Sequence, residues 1–335
     1  MPEGRAAVFA CRLAIMKTTV PDTMKAAAID HFGGPELLHL QSLPVPTPKA
    51  DEVLIKLDAA GIGVWDPQVR EGKLELGAHR FPLVIGNDGA GIVVAVGPGV
   101  TRFRTGDRVF AYAFEGGFYA EYVAVKSDNV APIPSGLKPE EAGALGADGI
   151  TAVLGLETQL RLRAGEKLMI FGASGGIGHI AVQLAKRIGA EVFAVASGTD
   201  GVELVRRIGA DAAVDGHGND VASAARTFAP QGFDAALVVV SGENLSEALK
   251  LMKRGGRVAH PNGVEPVPQV PDGVQLLAYD GIPSRDAFGR LNALIGSGSF
   301  HVELGRVYRL DEAARAHREL KQHHIGKLAF RLHAA

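Results

Sequence analysis

The stretch Phe171-Gly172-Ala173-Ser174-Gly175-Gly176-Ile177-Gly178 constrains this chain more than any other part of it. An apolar run, residues 168–171, leads into it, and apolar residues at helical spacing follow over 180–186. A second apolar run, 191–196, comes next. The pattern predicts strand, tight turn, helix and second strand in a unit of about thirty residues, the context in which a glycine fingerprint signals dinucleotide binding. Glycines let the backbone turn sharply and approach a pyrophosphate, and unpaired N–H groups at the helix start hold its negative charge. Ala173, Ser174, Gly175, Gly176, Ile177 and Gly178 are the first candidate cofactor contacts.

After the fingerprint, helical and extended patterns alternate. Apolar strands are predicted over 211–214, 234–240, 256–260 and 274–279, with a helix over 203–208. Strands so uniformly apolar fit a parallel sheet covered on both faces. Before the fingerprint the text differs. Short runs at 24–29, 52–59, 90–97, 106–111 and 117–125 are punctuated by glycine and proline, and predict a compact barrel-like β domain. A helix opens at Pro139 with Glu140 and Glu141 in its first turn, where acidic side chains favour the helix dipole. A last helix over 310–323 and a strand over 327–332 end the chain.

Composition narrows the function classes. With 335 residues, 47% hydrophobic, the chain is long enough for two domains. A net charge of −2 offers no basic footprint for nucleic acid. No apolar run reaches the roughly 18–20 residues of a membrane span. Cys11 is the single cysteine, so neither an internal disulfide nor a cysteine-based zinc site can form, in keeping with a cytoplasmic protein. Residues 1–23 read as a loosely held extension, with Met16 and Met24 as alternative starts.

Three motifs in order carry a family resemblance: residues 86–97 beginning Gly86-Asn87-Asp88-Gly89, then Gly106-Asp107-Arg108-Val109, then the fingerprint. From Met24 to about Leu332 the chain resembles the medium-chain dehydrogenase/reductase superfamily, and within it the zinc-independent quinone oxidoreductase branch. The resemblance implies an α/β fold: a doubly wound parallel Rossmann sheet over 141–284, and a GroES-like, β-barrel-type catalytic domain made of 24–140 and 285–335. Zinc enzymes of the superfamily carry metal ligands at positions resembling Gly63, Asn87 and Ala147. Gly63 and Ala147 offer no donor, and a catalytic zinc needs about three protein ligands. The resemblance also implies an asparagine at Gly63 and a substrate-side tyrosine at Gln68, and this chain has neither.

An acidic residue at the end of the second strand selects NAD by binding the ribose 2′-OH. Ser197 stands there, so the expected cofactor is NADP(H), with Arg206 or Arg207 as sources of positive charge. By resemblance Thr151 lies beside the nicotinamide. Gly242, and Pro261-Asn262-Gly263, follow sheet strands whose carboxyl ends line the crevice. Candidate pocket residues are Trp65, Gln68 and Tyr112, with Phe114 and Tyr119 near them; Asp66 reads as a loop-holding group and His260 as a structural histidine, and Lys327 as a surface residue or a cofactor contact. No catalytic acid is assigned.

The reaction expected is hydride transfer from NADPH to a small quinone or α,β-unsaturated carbonyl. A conjugated acceptor spreads the developing charge and needs less help than a simple ketone. Two alternatives stand beside it: a non-catalytic NADPH-binding redox sensor, and a zinc-type alcohol dehydrogenase. A homodimer through the strand at 274–279 is expected from the resemblance.

Overall fold

A computed structural model describes residues 20–74, 80–218 and 220–333. Most of the expected extension, residues 1–19 with Cys11, lies outside the described residues. The first strand, β1 (Thr23–Ile29), begins at its end.

The amino-terminal half builds two sheets. β1 lies between β2 (His39–Pro44) and β4 (Leu83–Val84) in a three-stranded sheet. The larger sheet centres on β3 (Glu52–Ile62), which pairs with β5 (Asp88–Val96) and β7 (Tyr122–Lys126). β6 (Arg108–Tyr112) and β8 (Val130–Pro132) extend it on one side. Val53, Ile55 and Leu57 of β3 point into the barrel interior, and Leu54 points to a smaller apolar cluster outside it, as period-two alternation requires. The strand expected over 117–125 is regular only from Tyr122. The residues before it are pulled aside, with Ala27 N–H donating to Tyr119 O and Glu121 N–H to Lys25 O, which ties the two sheets together. A short helix, α1 (Asp66–Arg70), follows β3.

α2 (Pro139–Gly143) and α3 (Gly146–Val153) lead to the second half. There β9 (Lys167–Phe171), β10 (Glu191–Ala196), β11 (Ala212–Asp215), β12 (Phe233–Val238), β13 (Met252–Pro261) and β14 (Gln275–Tyr279) form one parallel sheet in the order β11-β10-β9-β12-β13-β14. This is the doubly wound order, with the direction of winding reversing between β9 and β12. Both faces are covered. Leu168 and Ile170 of β9 enter the core under α3 and α4 (Gly176–Ile188). Met169 and Phe171 enter the opposite core under α6 (Val221–Phe228) and α7 (Leu245–Leu249). α5 (Gly198–Arg207) connects β10 to β11.

The chain then returns to the barrel through α8 (Arg285–Ile295). β15 (Leu304–Arg309) and β16 (Lys327–Arg331) join the large sheet, β16 against β3. Between them the expected helix over 310–323 is one 3₁₀ turn and α9 (Ala313–Glu319). It stops early because the following residues are drawn to the parallel sheet: His323 bonds Asp200 at 3.0 Å, and Gly326 N–H donates to Ser174 O at 2.7 Å. The second contact pins the fingerprint turn to the last barrel strand.

Candidate active site

The fingerprint turn is built by close approach. Gly172 has φ +89°, which favours glycine, and a Cβ at Gly178 would stand 2.1 Å from Gly172 O. α4 therefore starts directly on the turn. Gly175 caps it in extended conformation with no side-chain cap, and a Cβ there would meet only Gly172 O, at 3.6 Å. The first N–H groups of α4 face an open cradle, the arrangement that binds a pyrophosphate. At the other end Gly189 turns left-handed and Lys186 and Arg187 sit in the last turn.

The cradle opens into a crevice of about 460 Å³ between the parallel sheet and the barrel. Ser174, Gly175, Gly176, Ile177, Ser197 and Gly263 line it, with Trp65 and Lys327 on the barrel side. Ala173 and Gly178 are packed behind it. Thr151 is buried: its Oγ1 donates to Ala147 O and its carbonyl accepts from the Tyr279 hydroxyl. After β12 the lining is Val239, Val240 and Ser241, while Gly242 packs on Phe171. Asn262 donates to Asp280 Oδ1 at 2.9 Å, which fixes the loop that Pro261 begins.

The substrate-side candidates separate. Trp65 edges the crevice, its Nε1–H donating to Asn87 Oδ1 at 3.1 Å. Gln68 is exposed on α1. Tyr112 is buried against Phe114. Tyr119 is inside the barrel. Arg70 can only donate, so His317 Nδ1 accepts from it at 2.9 Å and Nε2 carries the ring proton. That N–H meets the Tyr119 hydroxyl at 3.1 Å, and the hydroxyl donates to Asp66 Oδ2 at 2.6 Å. Asp66 Oδ2 also accepts from Gly63 N–H at 2.7 Å, and Oδ1 is buried without a partner. Burial lifts the Asp66 carboxyl to about 7 against these two bonds. Burial and the neighbouring Arg70 push His317 down to about 3.

Beneath the crevice lies a charge cluster that motif reading had not assembled. Lys327 Nζ is 3.1 Å from Asp88 Oδ2 and 3.4 Å from Asp148 Oδ2, with all three side chains nearly sealed from solvent. Ala147 N–H also donates to Asp88 Oδ2. Burial works against the ammonium, but Asp148 and Asp88 outweigh it and hold Lys327 above its ordinary range. Burial raises both carboxyls, opposed by Lys327. The only advance signal was a lysine after a glycine at a predicted strand start.

At the far end of the fingerprint, Ser197 and Gly198 border a second recess of about 530 Å³ with Lys321, His217, His323 and His324. Arg206 and Arg207 are engaged elsewhere, Arg206 with Ala213 O and Arg207 with Glu303. His260, at the end of β13, is buried with Nδ1 3.2 Å from Pro261 O.

Comparison with known proteins agrees with this architecture. Residues 49–135 match the family described as Alcohol dehydrogenase GroES-like domain, and residues 176–262 the family described as Zinc-binding dehydrogenase. The chain is 33% identical over 311 residues to the quinone oxidoreductase of Mus musculus, covering 89% of this chain and 94% of that one. The chain belongs to the medium-chain dehydrogenase/reductase superfamily, in its quinone oxidoreductase-like branch.

Two further relatives bracket that branch. The chloroplastic NADPH-dependent alkenal/one oxidoreductase of Arabidopsis thaliana is 32% identical, covering 84% of this chain and 71% of that one. The solved quinone oxidoreductase from Coxiella burnetii superposes with a TM-score of 0.79 at 26% identity, over 93% of this chain and 100% of that one. Membership makes the chain an oxidoreductase that works with a nicotinamide cofactor on a small molecule.

In this member of the superfamily the three positions that resemble zinc ligands are occupied by other contacts. Asn87 donates Nδ2 to Ala113 O and Phe114 O and accepts from Trp65. A Cβ at Gly63 would meet the Trp65 indole at 2.8 Å, so the indole fills the space a side chain would need. Ala147 contributes only backbone groups, its N–H to Asp88 and its carbonyl to Thr151 Oγ1. Among the described residues no group of three His, Cys, Asp or Glu side chains is placed to hold a metal, and no helix is long and apolar enough to cross a membrane.

Proposed function

We propose that the protein is a zinc-independent, NADPH-dependent reductase of quinones or α,β-unsaturated carbonyls. The observation that carries this reading is the Gly63–Trp65–Asn87 packing: a neutral, hydrogen-bonded indole stands where a metal-dependent relative needs ligands. A reduced nicotinamide dinucleotide supplies a hydride when bound. The residues here fit such a group. The uncapped start of α4 at Gly175 and Gly176 would hold its pyrophosphate, with Ala173, Ser174, Ile177 and Gly178 shaping the turn. Thr151, Gly242, Pro261, Asn262 and Gly263 would frame the nicotinamide end.

The reading as NADPH rests on the recess at Ser197. Lys321 brings positive charge there, and among the described residues no carboxylate lines it. The two carboxylates beside it are each held by a histidine, Asp200 by His323 and Asp215 by His217. A 2′-phosphate would meet donors where an acidic residue would repel it. The name of the Arabidopsis relative supports both the cofactor and the enone class.

For the reaction, the chain must bind a flat acceptor, exclude water and stabilise an oxyanion. Trp65 offers an aromatic wall, and the buried Lys327 ammonium lies 5.8 Å from the centre of that ring. That ammonium is shared by the Asp88 and Asp148 carboxylates, so its part is to fix the barrel side of the crevice. We further propose a division into an extension at 1–23, a catalytic domain of 24–140 with 285–335, and a cofactor domain at 141–284. We also propose a cytoplasmic homodimer. β14 ends the parallel sheet with one edge unpaired among the described residues, and Leu276 on it is exposed.

The test is to mix purified protein with NADPH and a panel of benzoquinones, naphthoquinones and alkenones, and to follow cofactor absorbance. Oxidation that persists after dialysis against a chelator supports the reading. Turnover lost on chelation and restored by Zn²⁺ overturns it, and cofactor binding without turnover returns it to a non-catalytic role.

A further inference from the structure

One buried carboxylate lines the crevice with its hydrogen bonding incomplete. Asp148, on α3, is 4% exposed and forms part of the crevice wall. Glu265, the other acidic residue there, is exposed on the loop after β13. Asp148 reaches across to the fingerprint, where its Oδ2 occupies the space that a Cβ at Gly176 would need. Gly176 is the first residue of α4, so the carboxylate stands directly beside the pyrophosphate cradle.

The two carboxylates of the charge cluster are served unequally. Asp88 Oδ2 accepts from Ala147 N–H at 3.0 Å and from Lys327 Nζ at 3.1 Å. Asp148 has Lys327 alone, 3.4 Å from Oδ2. No N–H or O–H of the described residues donates to Asp148 Oδ1, which, unlike Asp66 Oδ1, is not sealed. A carboxylate has room for several donors and is costly to bury without them. It is also a poor neighbour for a pyrophosphate, which the start of α4 attracts and a second anion repels. A ligand O–H facing Asp148 removes both costs. In a dinucleotide the group joined to each phosphate is a ribose with hydroxyl donors. Ser197 marks the adenosine end of the crevice, and Trp65 and Lys327 mark the barrel end. Asp148 pairs with Lys327, so the ribose it meets is the one that carries the nicotinamide.

We propose that Asp148 accepts a hydrogen bond from the hydroxyls of the nicotinamide-side ribose, an assignment that rests on the dinucleotide reading above. It is the chemistry by which an acidic residue holds the adenosine ribose in NAD enzymes, moved to the other end of the cofactor. Asp148 takes no part in bond making. It anchors the ribose between the cradle and the Trp65 wall, and Lys327 keeps its charge partly offset.

The test is equilibrium binding, read from the fluorescence of Trp65, the single tryptophan of the chain and a crevice residue. Three ligands are compared: NADPH, an NADPH analogue whose nicotinamide-side ribose is 2′,3′-dideoxy, and 2′-phospho-ADP, which has the pyrophosphate and lacks that ribose. Wild-type protein should bind the dideoxy analogue about tenfold or more weaker than NADPH, the usual loss for a hydrogen bond to a charged acceptor. Asp148→Ala should bind NADPH and the analogue alike, and 2′-phospho-ADP at least as well as the wild type does. Equal wild-type affinity for NADPH and the analogue overturns the assignment without any substitution, whatever the stability of the variant. So does a variant that loses the same factor for all three ligands, because that loss is structural. If the protein prefers NADH, the NADPH reading fails alone, and NADH, its dideoxy analogue and ADP give the same test. If no dinucleotide binds, the cofactor reading and this assignment fall together.

Discussion

Lys327 Nζ lies 3.1 Å from Asp88 Oδ2 in the interior, although the two residues are 239 positions apart in the chain. The pair joins the last strand of the barrel to β5, and Asp148 completes it from α3, the helix that leads into the parallel sheet. Removing one partner of a buried pair leaves an uncompensated charge, which costs about 3–5 kcal/mol. Lys327→Met is expected to destabilise the protein by about that amount in urea unfolding, because two buried carboxylates lose their only cation among the described residues. Adding Asp88→Asn should restore part of the loss, with a coupling of about 0.5–3 kcal/mol between the two changes.

Gly175 and Gly178 are three residues apart and predict opposite behaviour. Alanine at 178 places its Cβ 2.1 Å from Gly172 O, so the turn must move, at a cost of about 1–3 kcal/mol in stability. Alanine at 175 meets nothing closer than 3.6 Å and should cost less than about 1 kcal/mol. Its methyl group fills the cradle instead. Titration with NADPH should show a loss of affinity of about tenfold or more for Gly175→Ala, while its denaturation curve stays close to the wild type.

These contrasts show which parts of the protein were legible in its sequence. The parallel sheet was legible because its central strands β9, β10 and β12 are apolar on both faces, and the fingerprint marks where winding begins. β10 spans the residues its pattern predicts. The barrel was legible in outline, but β15 and α8 were missed. Of the six residues in β15 only Tyr308 is buried, and Gly305, Arg306 and Arg309 are exposed, so no period marks it. The charge cluster could not be read at all. Asp88, Asp148 and Lys327 come from three separated elements, and each alone looks like an ordinary surface residue. Tyr119 was grouped with the pocket residues for a similar reason: an aromatic in a glycine-rich loop reads as a wall, and only its bond to Asp66 shows which way it faces.

Asp66 gives a pH prediction. Its folded-state value is about 7, above the usual carboxylate value of about 3.9 in an unfolded chain. The folded state therefore holds the proton more tightly. The stability this group contributes is fully present below about pH 4 and is lost as pH rises through 7, with a slope approaching 1.4 kcal/mol per pH unit (about the linkage limit for one proton). In Asp66→Asn the amide oxygen keeps the bonds from Gly63 N–H and the Tyr119 hydroxyl, and the amide nitrogen takes the unpartnered position. The variant should lose this slope and be the more stable form at pH 8. Urea midpoints from pH 4 to 8 measure it, and parallel curves for the two proteins would assign the carboxyl an ordinary ionisation.

Ser197 tests the cofactor. It directly follows β10, where its backbone N–H donates to Ser174 Oγ at 3.0 Å and the residue borders the basic recess. Ser197→Asp keeps that backbone bond and places a carboxylate where the 2′-phosphate of NADPH would lie. The added charge repels a phosphate but accepts a hydrogen bond from a ribose 2′-OH. Affinity for NADPH should fall about tenfold, near 1.4 kcal/mol, and affinity for NADH should rise. Lys321→Ala should weaken NADPH without improving NADH, because it removes attraction without adding an acceptor. Binding of both cofactors to both variants, at two salt concentrations, separates these effects. Higher salt should shrink the Lys321 difference, since that side chain borders an open recess and its charge is screened.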